Sequence, residues 1–100
     1  MDRSQILTLV SRTYEPDDIG QQVPTEDRRD VYVNIGSVSA AEWYEGGAHG
    51  LAPEYKCTMS ALDYAGEQIA ELEGRRYRIY RTYRGKNDIL ELYLERRAGI

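Results

Sequence analysis

Phenylalanine is missing altogether from this chain of 100 residues, and cysteine, histidine and tryptophan occur once each. The lone Cys57 leaves no intramolecular disulfide and no cysteine-built zinc site, and it fits a reducing compartment such as the cytoplasm. The lone His49 lies in Gly46-Gly47-Ala48-His49-Gly50 with no nucleophile beside it. The sequence thus supplies neither a catalytic triad nor a histidine metal site. The same glycine run has neither the spacing nor the following helix of a phosphate loop.

Long apolar runs are also missing. Ile6 to Val10 is far too short to cross a bilayer, and Met1-Asp2-Arg3-Ser4-Gln5 opens no signal peptide. Cations are the minority, 13 against 17 acids, and a net charge of −4 argues against general nucleic-acid binding. The length sets one thin-cored domain that buries roughly two-thirds of its unfolded surface. It leaves no room for a substrate domain beside a cofactor domain. With 41% hydrophobic residues spread evenly along the chain, disorder is not expected. A soluble, cytosolic protein is.

What the chain does have is tyrosine, nine of them. A tyrosine ring packs like phenylalanine, but its hydroxyl still wants water or a partner. The surplus fits half-buried positions of a thin β domain, and equally an interface formed on assembly.

Alternating and β-branched stretches predict strands at Ile6–Tyr14, Val31–Ile35, Tyr55–Ser60, Arg76–Tyr83 and Ile89–Glu95, with a shorter one at Ile69–Leu72. In the last long strand Leu90, Leu92 and Leu94 face inward, and Glu91, Tyr93 and Glu95 face out. The polar stretch Gln21–Asp30 reads as an exposed loop or a ragged edge strand. Ser39-Ala40-Ala41-Glu42 matches a capping box, with Ser39 accepting from a free N–H and Glu42 reaching back. The short helix it opens should be stopped by Gly46-Gly47 and then His49-Gly50, within about three turns or fewer. Regularly spaced short strands with tight turns point to a small barrel or sandwich.

Asp17-Asp18 and Glu26-Asp27 sit in polar stretches, where adjacent carboxylates lack the burial that would split their pKa values. No enzyme emerges. Arg75 to Lys86 holds six of the 13 basic residues, interleaved with Tyr77, Tyr80 and Tyr83. That composition suits stacking on bases and tracking phosphates, as in an OB-like barrel binding single-stranded nucleic acid. The competing reading pairs these arginines with Glu91 and Glu95 on the next strand, or with a neighbouring subunit. Strand alternation places Arg76 and Arg78 on one face and Arg81 on the other, so one patch would need a bulge.

Taken in order, the chain resembles a known family. The polar hairpin, Val38-Ser39-Ala40-Ala41-Glu42-Trp43-Tyr44, the glycine-rich turn, Pro53-Glu54-Tyr55 and Gly74-Arg75-Arg76-Tyr77 follow one another as in the head-closure proteins of long-tailed bacteriophages and prophages. These are also called head–tail adaptor or head-completion proteins. The resemblance spans nearly all of residues 1–100 as a single domain. It implies a mainly β fold, a small β-barrel of about six antiparallel strands with one short helix after the second long strand. It implies no catalysis, no cofactor and no metal.

By the same resemblance the partners are copies of the chain in a ring, twelvefold in the virion, with the portal or adaptor ring above. Tail-terminator or tail proteins lie below, and genomic double-stranded DNA passes through the channel. The location implied is the virion neck, and the host cytoplasm during assembly; a tail-terminator ring is a neighbouring possibility. Val38 to Pro53 would then lie on the channel side. Ser39, Glu42, Trp43, Tyr44, Gly46, Gly47, His49 and Gly50 are the candidate gating or interface residues. The alternative for Trp43 is that it covers an open end of the barrel. Arg76, Arg78, Arg81 and Arg84 are the candidate inter-subunit or nucleic-acid contacts. A monomer is expected at low concentration, because no long apolar run is left over for a permanent interface.

Overall fold

Leu7 and Leu9 flank Thr8, and Val31 and Val33 flank Tyr32; that period of two gives each segment one dry face and one wet face. In the computed structural model, which describes residues 4–97 and 99–100, they lie in β1 (Ser4–Pro16) and β2 (Gln22–Ser37). The remaining strands are β3 (Pro53–Ser60), β4 (Ile69–Leu72), β5 (Arg75–Arg84) and β6 (Ile89–Arg96). A single α-helix, α1 (Ala40–Ala48), joins β2 to β3, and a 3₁₀ turn at Ala61–Asp63 follows β3. Met1-Asp2-Arg3, read above as opening no signal peptide, lies outside the described residues.

All six strands pair antiparallel in the order β1-β2-β3-β6-β5-β4, and β4 pairs back to β1, so the sheet closes on itself like a ring. Inside it lies one apolar cluster, with Leu7, Leu9, Cys57, Leu92 and Leu94 fully covered. Each such leucine contributes roughly 1.5–3 kcal/mol by leaving water. Burial pushes the Cys57 thiol up to about 12.

Of the two readings of Gln21–Asp30, the structure bears out the edge strand and not the loop. This stretch is the first half of β2, paired with β1 along its whole length, from Ser4 opposite Asn34 to Pro16 opposite Gln22. Sequence alternation could not decide between the two, because neither face of that half lies over the core. β4 meets β1 only at Thr8–Val10, and β3 meets β2 only at Asn34–Ser37. Past those points the hairpin continues as a two-stranded arm, in a molecule measuring 51 × 31 × 24 Å. From Thr13 to Pro16 and from Gln22 to Thr25 every residue is exposed. Asp17 shapes the tip: its Oδ1 accepts from the N–H groups of Ile19 at 3.0 Å and Gln21 at 2.8 Å.

β6 brings a revision. Leu90, Leu92 and Leu94 point inward as expected, yet Tyr93 and Glu95 on the other face are buried too. Tyr93 lies under the Arg81 guanidinium, 3.9 Å from the ring centre. Glu95 accepts from Arg78 at 2.6 Å and from the Ala52 N–H at 3.2 Å. Arg81 of β5 and the segment after α1 therefore cover what local alternation marked as a wet face.

Candidate functional site

The two groups of residues singled out in the sequence meet where α1 lies against β5. Ser39 caps the helix, its Oγ accepting from the Glu42 N–H at 3.1 Å. Glu42 does not reach back to complete a capping box. Its carboxylate turns to the sheet and accepts from the Tyr80 hydroxyl at 2.7 Å and from Arg81 at 2.5 Å. The Tyr80 hydroxyl, followed by Arg81, holds Glu42 below the usual carboxylate range against the opposing effect of burial. Burial and the facing carboxylate push the Tyr80 phenol up.

A bulge in β5 makes this junction possible. Ile79 pairs with Leu94 and Arg81 pairs with Tyr93, so Tyr80 is the extra residue. Arg81 is thereby moved to the same face as Arg76 and Arg78, which corrects the alternation argument. The face so formed is nevertheless not a free cationic patch. Arg76 reaches Glu26 at 2.6 Å and Glu71 at 2.7 Å, and Arg78 binds Glu95 at 2.6 Å. Arg81 binds Glu42, and Arg84 meets Asp88 at 2.5 Å on an open surface. The carboxylate partners are mostly not those expected: only Glu95 was anticipated, and Glu91 instead accepts from the Tyr93 hydroxyl at 2.6 Å.

Sequence reasoning missed the acidic half of this network. Glu26 collects Arg12 at 2.8 Å as well as Arg76, and Arg28 bonds to Glu71. These side chains tie the base of the arm to β4 and β5. Val10 lies among them in the strand register and is only 1% exposed. Arg76 and then Arg12 hold Glu26 at about 2. The signal was present in Glu26-Asp27-Arg28-Arg29-Asp30, where Glu26, Arg28 and Asp30 share a strand face. On the opposite face Arg29 binds Glu67 at 2.7 Å.

The rest of the Ser39–Pro53 segment divides between anchor and surface. Of the two expected stops the helix passes Gly46-Gly47, because both lie within α1, and it ends at His49-Gly50. Gly46 is buried and lets the helix approach Pro53: a Cβ placed there would fall 2.5 Å from Pro53 Cγ. The stop comes at Gly50, whose φ of +78° suits glycine. There the Leu51 N–H donates to the Gly46 carbonyl at 2.8 Å and the Gly50 N–H to the Gly47 carbonyl at 3.2 Å. His49 is the exposed C-cap.

Trp43 and Tyr44 stack edge to face, 5.0 Å between centres, and are 54% and 70% exposed. Trp43 is thus only about half covered. It borders a shallow groove shared with Val38, Leu51, Pro53 and Arg96. The whole arrangement offers aromatic and neutralised polar surface. No protein-family model, no curated protein and no solved structure matches this chain. Among the described residues no helix is long and apolar enough to cross a membrane.

Proposed function

We propose that this chain is a structural subunit of a phage neck, a head-closure or head–tail adaptor protein acting by assembly into a ring. On this reading the ring-like sheet is a small β-barrel, and the ring of subunits lies between portal or adaptor and tail. It closes the DNA-filled head and offers the tail its docking surface.

The observation that carries the proposal is the neutralisation of Arg76, Arg78, Arg81 and Arg84 by the chain's own carboxylates. A surface that grips a polyanion keeps its cations available for phosphate. A lining that lets DNA slide, or a protein interface that sets register, does not need them free. The resemblance in sequence order and the exposed Trp43–Tyr44 pair favour the same reading. Trp43, Tyr44 and the end of α1 are then the channel-side or gating element.

Two measurements test it. Electron microscopy and sedimentation at high protein concentration should reveal closed rings. A single-stranded oligonucleotide titrated at low salt should show no saturable binding. A strictly monomeric protein whose oligonucleotide affinity falls steeply with salt would instead establish the small nucleic-acid-binding barrel.

A further inference from the structure

We infer that the β1–β2 arm is the strap between subunits, docking on the β5–β6 hairpin of a second copy of this chain. The inference rests on the ring reading above and names the contact that would build the ring.

The first ground is the arm itself. A two-stranded ribbon on its own is marginal in water. Its last rows, Thr13 opposite Thr25 through Pro16 opposite Gln22, are exposed throughout. Three large apolar side chains stand there uncovered: Tyr14 at 58%, Ile19 at 78% and Val23 at 45% exposure. An ordered ribbon carrying apolar side chains into solvent is matched to a surface that covers it.

Topology supplies the second ground. β1 and β5 are both antiparallel to β4, so they run the same way. The arm tip and the β5–β6 loop therefore stand at the same end of the ring. In the ring order these two hairpins are separated by β3 on one side and β4 on the other, so they occupy opposite flanks. Two unlike patches on opposite flanks give head-to-tail contacts, the kind that closes rings when the rotation permits.

The chemistry of the two patches is complementary. From Thr13 to Thr25 the arm carries Glu15, Asp17 and Asp18 and no cation. From Thr82 to Ile89 the hairpin carries Lys86 and Arg84, the latter paired with Asp88, and Glu91 stands opposite Tyr83. Beside those cations Tyr83 is 56% and Ile89 40% exposed. The Ala61 N–H donates to the Asp88 carbonyl at 2.7 Å, which sets Leu62, 80% exposed, next to the same loop. The acids of the arm tip thus find Lys86 beside the exposed apolar side chains of the hairpin, a pairing that sets partner and register.

The test uses separate chains. Asp18→Cys and Lys86→Cys variants are made singly and mixed under mild oxidation; Cys57 is buried and stays silent. The expected product is a disulfide-linked pair that forms far faster in the mixture than in either variant alone. In parallel, sedimentation of Ile19→Ser should show self-association weakened about 10- to 100-fold, as expected for losing one buried apolar anchor. Asp18→Lys should weaken it too, and mixing that variant with Lys86→Glu should restore it. Circular dichroism and thermal melts establish that each variant is folded. Rings that persist with Ile19→Ser and give no mixed cross-link would overturn the strap and leave the ring reading standing. A protein that stays monomeric at every concentration would overturn both.

Discussion

A Cβ at Gly46 would lie 2.5 Å from Pro53 Cγ, whereas at Gly47 it would meet nothing within 4 Å. Both residues are inside α1, so alanine should gain the same helix propensity at either, about 1 kcal/mol. At Gly46 that gain is opposed by overpacking against a rigid ring, typically about 1–3 kcal/mol. Gly47→Ala should therefore stabilise the protein by about 0.5–1 kcal/mol, and Gly46→Ala should leave it level or less stable. Urea midpoints of the two variants check this, and equal gains would mean that α1 does not rest on Pro53. Tyr80→Phe probes the other anchor of the helix. It deletes one hydroxyl and strips Glu42 of a neutral donor while Arg81 remains. The expected loss is about 1.5–3 kcal/mol, the range for a hydrogen bond to a charged acceptor. With Glu42 already replaced by Ala, the same change should cost almost nothing, so additive losses would rule out the coupling.

At the level of elements, what the sequence made legible was local, and what it concealed depended on remote chain. Six strands, the capped helix and the inward leucines of β6 follow from alternation and turn chemistry, which act over a few residues. The arm half of β2 was legible only as one of two alternatives, because its faces are polar on both sides. The burial of Tyr93 and Glu95 was hidden because their covers, Arg81 and Ala52, come from other segments. The bulge at Tyr80 likewise appears only against its partner strand. These same places carry the candidate site, so the site was less legible than the fold. The arm has its own stability device in Asp17, which accepts from two backbone N–H groups at the tip. Asp17→Ala should fray the arm without melting the ring. Amide exchange should speed up between Tyr14 and Val23 while the amides of Leu7, Leu9 and Leu92 keep their protection. Uniform loss of protection would show that arm and ring open as one unit.

For the whole molecule, three lowered carboxylates join parts of the chain that are far apart in sequence. Glu26 of β2 is held at about 2 by Arg76 of β5 and Arg12 of β1. Glu42 joins α1 to β5. At Glu67 burial opposes the charge, but Arg29 with backbone N–H groups outweighs it and the pKa is lowered. A carboxylate whose folded value lies below its unfolded value of about 4.3 adds stability that is complete above that pH. The contribution is lost as pH falls through the folded value, because the unfolded chain then binds the proton more readily. Stability should therefore hold near neutrality, decline below roughly pH 4.3 and level off near the lowest of these folded values. Glu26 is partly exposed, so added salt should shallow the decline by screening its pairs. Glu26→Gln removes the group with the lowest folded value and should flatten the lower part of the curve in particular. Urea unfolding of the parent and the variant, stepped from neutral pH down toward pH 2, measures both slopes. Identical slopes would show that the pairs between arm and ring contribute nothing to the folded state in solution.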